Sequence, residues 1–439
     1  MPRVTCLAAL LLAVAGCSSR QSTDPSPPPP PDPTMPDPTT HTPPIPADPG
    51  PAPTPTQASS FADSINAFGL DLWGQVRSRP GNLVVSPASI SLALAMTWGG
   101  ARGETATQMG SVMHFGSDAD ALQAAAAHQL AAWNDPARTV YALRVANRLF
   151  GERSYRFEPD YLALTRDRYG AALEPMDFRG AAEPSRSRIN GWVEERTARR
   201  IRELLPARSI ASDTKLVLVN AVYFLGSWSH PFDEVATRPL PFLLASGQRA
   251  DVPTMRRTEY YRTASQPGVR ALEMPYRGDE LAMVILVPDD ASDLATLEQS
   301  LTAQRLAGVL GALAHQRLEV FVPRFRVDPP QSLALATVLA SMGMTLPFDR
   351  ARADFTGIAN PPSPADRLFI SQVFHKAFVD VNEEGTEAAA ATAVVMAPTG
   401  AAPAPPQRFA VDRPFLFLIR DLRSGAMLFL GRVIDPRAR

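Results

Sequence analysis

A mixed α+β domain is what this sequence predicts, and three features carry the prediction. Apolar residues recur at helical spacing in the first part of the chain. Runs rich in β-branched and aromatic residues dominate later. The two kinds intersperse without the strict alternation of a doubly wound fold. Helices are expected over 61–76, 88–97, 104–113 and 119–133. Strands are expected over 216–224, 281–287, 317–322, 369–381 and 415–419. No internal repeat is visible, and no later apolar run is long enough to cross a bilayer. The formal net charge of −1 gives no bulk electrostatic case for nucleic acid or an anionic membrane.

The first 17 residues read as a targeting segment. Arg3 precedes a short apolar core, residues 7–14, too short for a permanent span. It ends Val14-Ala15-Gly16-Cys17, which resembles a bacterial lipobox. That resemblance implies lipidation of Cys17 and its exposure as the new amino terminus. Stable anchoring needs more than one acyl chain. Ser18 after the cysteine favours the outer membrane by analogy with known sorting, so the expected location is the cell envelope or outside it. Cys6 leaves with the signal, so the mature chain has no pair for a disulfide. Residues 18–57 hold 16 prolines in 40 positions. Such a segment favours extended polyproline II and reads as a stalk reaching about 100 Å. The domain then occupies 58–439.

Residues 379–403 are the most informative stretch. Glu383 and Glu384 precede Gly385, then Thr386, Glu387 and four alanines from Ala388 to Ala391. Nothing from Thr386 to Gln407 is basic, aromatic, Leu or Ile. Side chains alternate faces in a strand. If Thr386 points inward, so do Ala388, Ala390, Thr392, Val394 and Met396, all uncharged, while Glu387 points outward. Proline is barred from central strands, and the first one here is Pro398. The pattern suits a loop that later becomes a buried strand, with Gly385 as its hinge. An Ala-rich helix over 383–393 is the rival on propensity alone.

The segment resembles the reactive-loop hinge of the serpins, the serine protease inhibitors that insert this loop into their own sheet. Other blocks extend the resemblance through the domain. They are NLVVSPASISLALAMTWGGARGETATQM (82–109), INGWVEERTARRIRELL (189–205), LVLVNAVYFLGSWSHPFD (216–233), VFVPRFRVD (320–328), ADFTGI (353–358), ISQVFHKAFVDVNEEGTEAAA (370–390) and FAVDRPFLFLI (409–419). The resemblance implies three β-sheets, about nine helices and an exposed reactive loop over about 383–408. It makes 189–205 the helix lying across the main sheet. It implies a shutter of Ser86, Ser89, Asn220 and His375 under the opening of that sheet, with His375 bonded to Asn220. It places Trp228 at the top of the sheet where insertion begins; plain core packing explains Trp228 equally well. His375 by itself reads as a satisfied core histidine.

Enzyme chemistry finds little support. No Gly-x-Ser-x-Gly elbow, HExxH, CxxC or phosphate loop is present, so neither metal nor cofactor is expected. The implied function is suicide inhibition of serine proteases by a monomer. Counting from Glu383 gives Thr399-Gly400 as the reactive bond, with Met396-Ala397 the alternative. Small residues there suit elastase-like or subtilisin-like targets. No Arg or Lys lies between Arg102 and Arg138, the region resembling the helix used by heparin-activated relatives, so heparin activation is not expected. Non-inhibitory serpins, which act as carriers, chaperones, surface binding or structural proteins, are the competing class.

Overall fold

The computed structural model describes residues 46, 48–50, 52–386 and 405–438. Cys17 and most of the stalk lie outside them. So do Ala388, Ala390 and Thr392 and both candidate reactive bonds, Thr399-Gly400 and Met396-Ala397.

Among the described residues there are nine α-helices and three hydrogen-bonded sheets. The helices are α1 (Pro55–Val76), α2 (Pro87–Trp98), α3 (Gly103–Val112), α4 (Ala119–Trp133) and α5 (Pro159–Tyr169). They continue with α6 (Ala182–Arg196), α7 (Leu294–Ser300), α8 (Ala303–Gly311) and α9 (Ala336–Ser341). Helix α1 begins inside the expected stalk. Thr54 caps it in a capping box with Gln57, and Pro55 sits where its missing N–H is not needed. Residues 55–57 are therefore helical despite Pro55: local capping chemistry overrides proline content. Helix α2 is buried nearly all round, so it belongs inside the molecule and packs on both sheets.

The largest sheet has nine strands. In chain order they are β1 (Leu83–Val85), β5 (Arg238–Leu243), β6 (Arg249–Gln266), β7 (Val269–Pro275), β8 (Leu281–Val287) and β9 (Ala314–Pro323). The carboxy-terminal three are β15 (Gln407–Ala410), β16 (Phe415–Asp421) and β17 (Met427–Val433). Strands β8, β16 and β17 are buried along almost their whole length, as their continuous apolar runs require.

The six-stranded sheet holds the hinge. Its spatial order is β10 (Phe325–Val327), β13 (Val379–Val381), β14 (Gly385–Thr386), β4 (Leu216–Ser227), β2 (Tyr141–Glu152) and β3 (Leu173–Met176). Helix α6 covers one face through Ile189, Trp192 and Val193, which pack on Ala146, Phe150, Val219 and Ala221. The other face joins the main core. A two-stranded ladder pairs β11 (Leu333–Ala334) with β12 (Phe374–His375).

Two sequence expectations change here. The helix expected over 189–205 starts earlier and stops at Arg196; Ala198, Arg199 and Glu203 have left-handed backbones that no helix can continue. The strand expected over 369–381 is broken into β12 and β13. Among the described residues no ladder joins this segment directly to β4. A strand exists only where a neighbour completes its hydrogen bonds.

Candidate functional site

The site is the seam between β4 and β13. Gly385 pairs with Ser227, and Thr386 pairs with Gly226 on β4 and Val381 on β13. Two residues therefore already sit as a strand between two others. Gly385 has no left-handed φ. Its glycine has a steric reason instead: a Cβ would lie 1.9 Å from the carbonyl oxygen of Gly226. The conformational hinge expected from sequence is replaced by close approach of two backbones.

Thr386 points into the core, as the alternation predicted for its face, and is 3% exposed. Its Oγ1 lies 2.6 Å from the Tyr276 hydroxyl. Burial raises the Tyr276 pKa, so that hydroxyl stays protonated. Trp228 stacks on the same tyrosine, with centroids 4.6 Å apart and planes 15° off parallel. Its indole N–H donates to the Asn382 carbonyl at 3.0 Å, and its backbone N–H to Glu384 O at 2.7 Å. Trp228 is thus both core packing and a clamp on the hinge.

Glu383 is 2% exposed yet charged-partnered. Arg324 Nε donates to it at 2.6 Å, and the Thr237 hydroxyl also donates to it. Phe232 N–H donates to its backbone carbonyl at 2.8 Å. Glu384 donates its own N–H to Asn382 Oδ1 at 3.0 Å. Arg324, Thr237 and Tyr276 were not singled out from the sequence. A buried glutamate needs a donor somewhere, but nothing local in the sequence says which arginine supplies it.

Below Thr386 the seam is open. A cleft of about 270 Å³ runs down it, lined by Ser89 and Ile90 of α2, by Leu218 and Asn220 of β4, and by Phe374 and His375 opposite. Of the four residues expected to form a shutter, Ser89, Asn220 and His375 line this cleft and Ser86 bonds to His375 beside it, but the expected bond from His375 to Asn220 is not made. His375 Nε2 accepts from the Ser86 N–H at 3.0 Å. Ser86 Oγ donates to Leu428 O at 2.7 Å. Asn220 accepts from the Ser89 hydroxyl and donates to Asn147 Oδ1 at 2.6 Å. With the seam parted, Asn220 and His375 satisfy themselves on separate banks. Asn147 is a further member that the sequence did not reveal.

Burial pushes the His375 imidazole down to about 4 from its ordinary 6.5. The folded chain holds it neutral, whereas the unfolded chain takes up a proton below about 6.5. Its contribution is therefore fully present above about 6.5 and lost as pH falls toward 4. The loss is on the order of 3 kcal/mol. Calorimetry should show the melting temperature falling through this window, and falling less in His375→Gln, which keeps an acceptor for Ser86. Equal slopes in both proteins would contradict this role.

Among the described residues, no cluster of His, Cys, Asp and Glu could hold a metal ion. No described helix is long and apolar enough to cross a membrane.

A family model for Serpin (serine protease inhibitor) matches residues 63–436. The chain belongs to the serpins. It is therefore a member of a family of serine protease inhibitors, not of enzymes. It is 40% identical over 379 residues to the human leukocyte elastase inhibitor, covering 84% of this chain and 97% of that one. It is 43% identical over 365 residues to the bovine leukocyte elastase inhibitor, covering 81% and 93%. The fold matches uncleaved ovalbumin with a TM-score of 0.75 and 30% identity, covering 86% of this serpin and 100% of ovalbumin. It matches the structure of cleaved Serpin 42Da with a TM-score of 0.76 at 30% identity, over 88% of this serpin and 100% of that chain.

Proposed function

We propose that this serpin inhibits elastase-like or subtilisin-like serine proteases by inserting its reactive loop into the six-stranded sheet after cleavage. The observation that carries this reading is Gly385–Thr386 seated between β13 and β4 above an open cleft. Continued in the same antiparallel register, Thr392 would come level with Asn220 and Met396 with Leu216. The uncharged even-numbered side chains from 388 to 396 would then face the cleft's core side. The relatives' names, leukocyte elastase inhibitor, agree with a protease that prefers small residues before the cut. Thr399-Gly400 is the bond we favour, with Met396-Ala397 second.

Chemically, the target's serine oxygen attacks the carbonyl carbon before the cut. The peptide C–N bond breaks, the nitrogen leaves protonated as a new amino terminus, and the carbonyl stays esterified to the serine as an acyl-enzyme. Insertion then drags the acylated protease and spoils its active site. Loss of one oxyanion donor alone slows acyl chemistry about 100- to 1,000-fold. Mixing the chain with pancreatic elastase or subtilisin should give a band near the summed mass on a denaturing gel. Complete cleavage with full protease activity retained would sink the proposal in favour of a non-inhibitory surface protein.

We further propose that the chain acts from the cell envelope, lipidated on Cys17 and held off the membrane by the proline-rich segment. The Val14-Ala15-Gly16-Cys17 sequence supports it. Cys17→Ser should abolish palmitate labelling and leave an unprocessed precursor; undiminished labelling would rule the anchor out.

A further inference from the structure

The proline-rich segment does not run free of the domain all the way to α1. Asp48, Pro49 and Gly50 form a turn that lies on α4 and α5. Asp48 Oδ1 accepts the Gly50 N–H at 2.8 Å, and Gly50 takes a left-handed φ of 76°. Proline at the second place and glycine at the third suit such a turn. The turn presents its backbone to the helices. The Asp48 N–H donates to Asp167 O of α5 at 3.1 Å. Arg168 of α5 donates to Pro49 O, and His128 Nε2 of α4 donates to Gly50 O at 3.1 Å. A Cβ on residue 50 would run into the Arg168 guanidinium.

Asp167 belongs to the last turn of α5, where carbonyls lack partners within the helix. The 48–50 turn supplies a donor to one of them from outside. Another is met from inside: the Tyr169 carbonyl accepts Asn147 Nδ2 of β2 at 3.2 Å. The Tyr169 hydroxyl donates to Gln123 of α4, whose Nε2 donates to Ala95 O of α2 at 3.0 Å. Asn147 Oδ1 in turn accepts from Asn220, the shutter residue of β4 that stands apart from His375. Tyr169, Gln123 and Asn147 are all buried. Buried polar groups bonded in a chain move together, because a partial break leaves a donor or acceptor unmet. One helix end is thus held by the amino-terminal turn on its outer side and by the shutter on its inner side.

We propose that the turn at 48–50 is a strap that steadies the end of α5 and, through Tyr169 and Asn147, holds Asn220 on the β4 bank of the open seam. With the strap released, the end of α5 loosens and Asn147 loses its fixed acceptor. Asn220 is then free to turn toward His375 and draw the seam closed against an incoming strand. Tyr169 and Asn147 are positioning residues in this scheme. The effect on insertion rests on the inhibitory reading above; the coupling from strap to Asn220 does not.

Gly50→Ala in the full chain tests this, because it strains the turn and crowds Arg168 without touching the core or the seam. The first readout is nuclear magnetic resonance of chain labelled on asparagine, together with amide exchange. The Asp48 and Gly50 amides should be protected in the native chain. In the variant that protection should be lost, and exchange over 165–171 should quicken about tenfold. The side-chain amide resonances of Asn147 and Asn220 should shift as well. A strap with only local effect would leave those two resonances unmoved, and that result would overturn the proposal. So would an unprotected Asp48 amide in the native chain. The second readout is partition with elastase. Gly50→Ala should shift it about threefold toward substrate cleavage, and should shift it no further in an Asn147→Ala background. No shift, or equal shifts in both backgrounds, would overturn the strap's role in insertion. Absence of covalent complex in the native chain, with both asparagine resonances moving as expected, would instead overturn the inhibitory reading and leave the coupling standing.

Discussion

Replacing Thr386 by arginine is expected to turn this serpin from inhibitor into substrate. The loop is still cut, but the protease leaves active, and the number of chains consumed per protease inhibited rises about tenfold or more. The reason is local. Thr386 is buried, paired on both sides and bonded to Tyr276, which burial holds in its neutral form. The arginine would carry an unpaired charge into that position, which costs several kcal/mol. The first inserted pair would be lost, and every later pair depends on it. The intact fold should also melt below the native value, because Thr386 is already buried and paired there. Unchanged stoichiometry in this variant would contradict insertion through the Gly385–Thr386 seam.

The loop-cleaved form is expected to melt about 20 °C or more above the intact form. Residues 387–396 would add a central strand between β4 and the 368–381 segment, filling a cleft of about 270 Å³. Each ladder hydrogen bond contributes about 0.5–1.5 kcal/mol net, so a strand bonded on both edges contributes on the order of 10 kcal/mol. For a domain of this size each kcal/mol moves the midpoint by about 2 °C. The broken strand of β12 and β13 should also become continuous, visible as new amide protection over 368–378. Equal melting of the two forms would place this chain among non-inserting relatives.

Much of the site was legible before any fold was known. The alternation from Thr386 onward gave the inward face, and the structure seats Thr386 inward at its start. Helix α4 and strand β8 fall at the bounds expected from periodicity. Other elements were hidden. Strand β2 carries Arg144 and Arg148 on the face toward α6, so its alternation looks like a polar surface and it was not anticipated. The loop after α6 kept a helical composition that its left-handed residues override.

The sequence by itself determined the family, the place of elements such as α4 and β8, and the inward-facing hinge threonine at 386. These depend on residue type and spacing within one segment, and a linear pattern records them. Only the tertiary structure decided the partners: Arg324 for Glu383, Tyr276 for Thr386, Asn147 for Asn220 and Ser86 for His375. It also decided why residue 385 is glycine, since the atom in its way belongs to Gly226, 159 residues earlier. Long-range pairing is fixed by how two sheets and a buried helix close around one another. Side chains far apart in the chain leave no shared period to read.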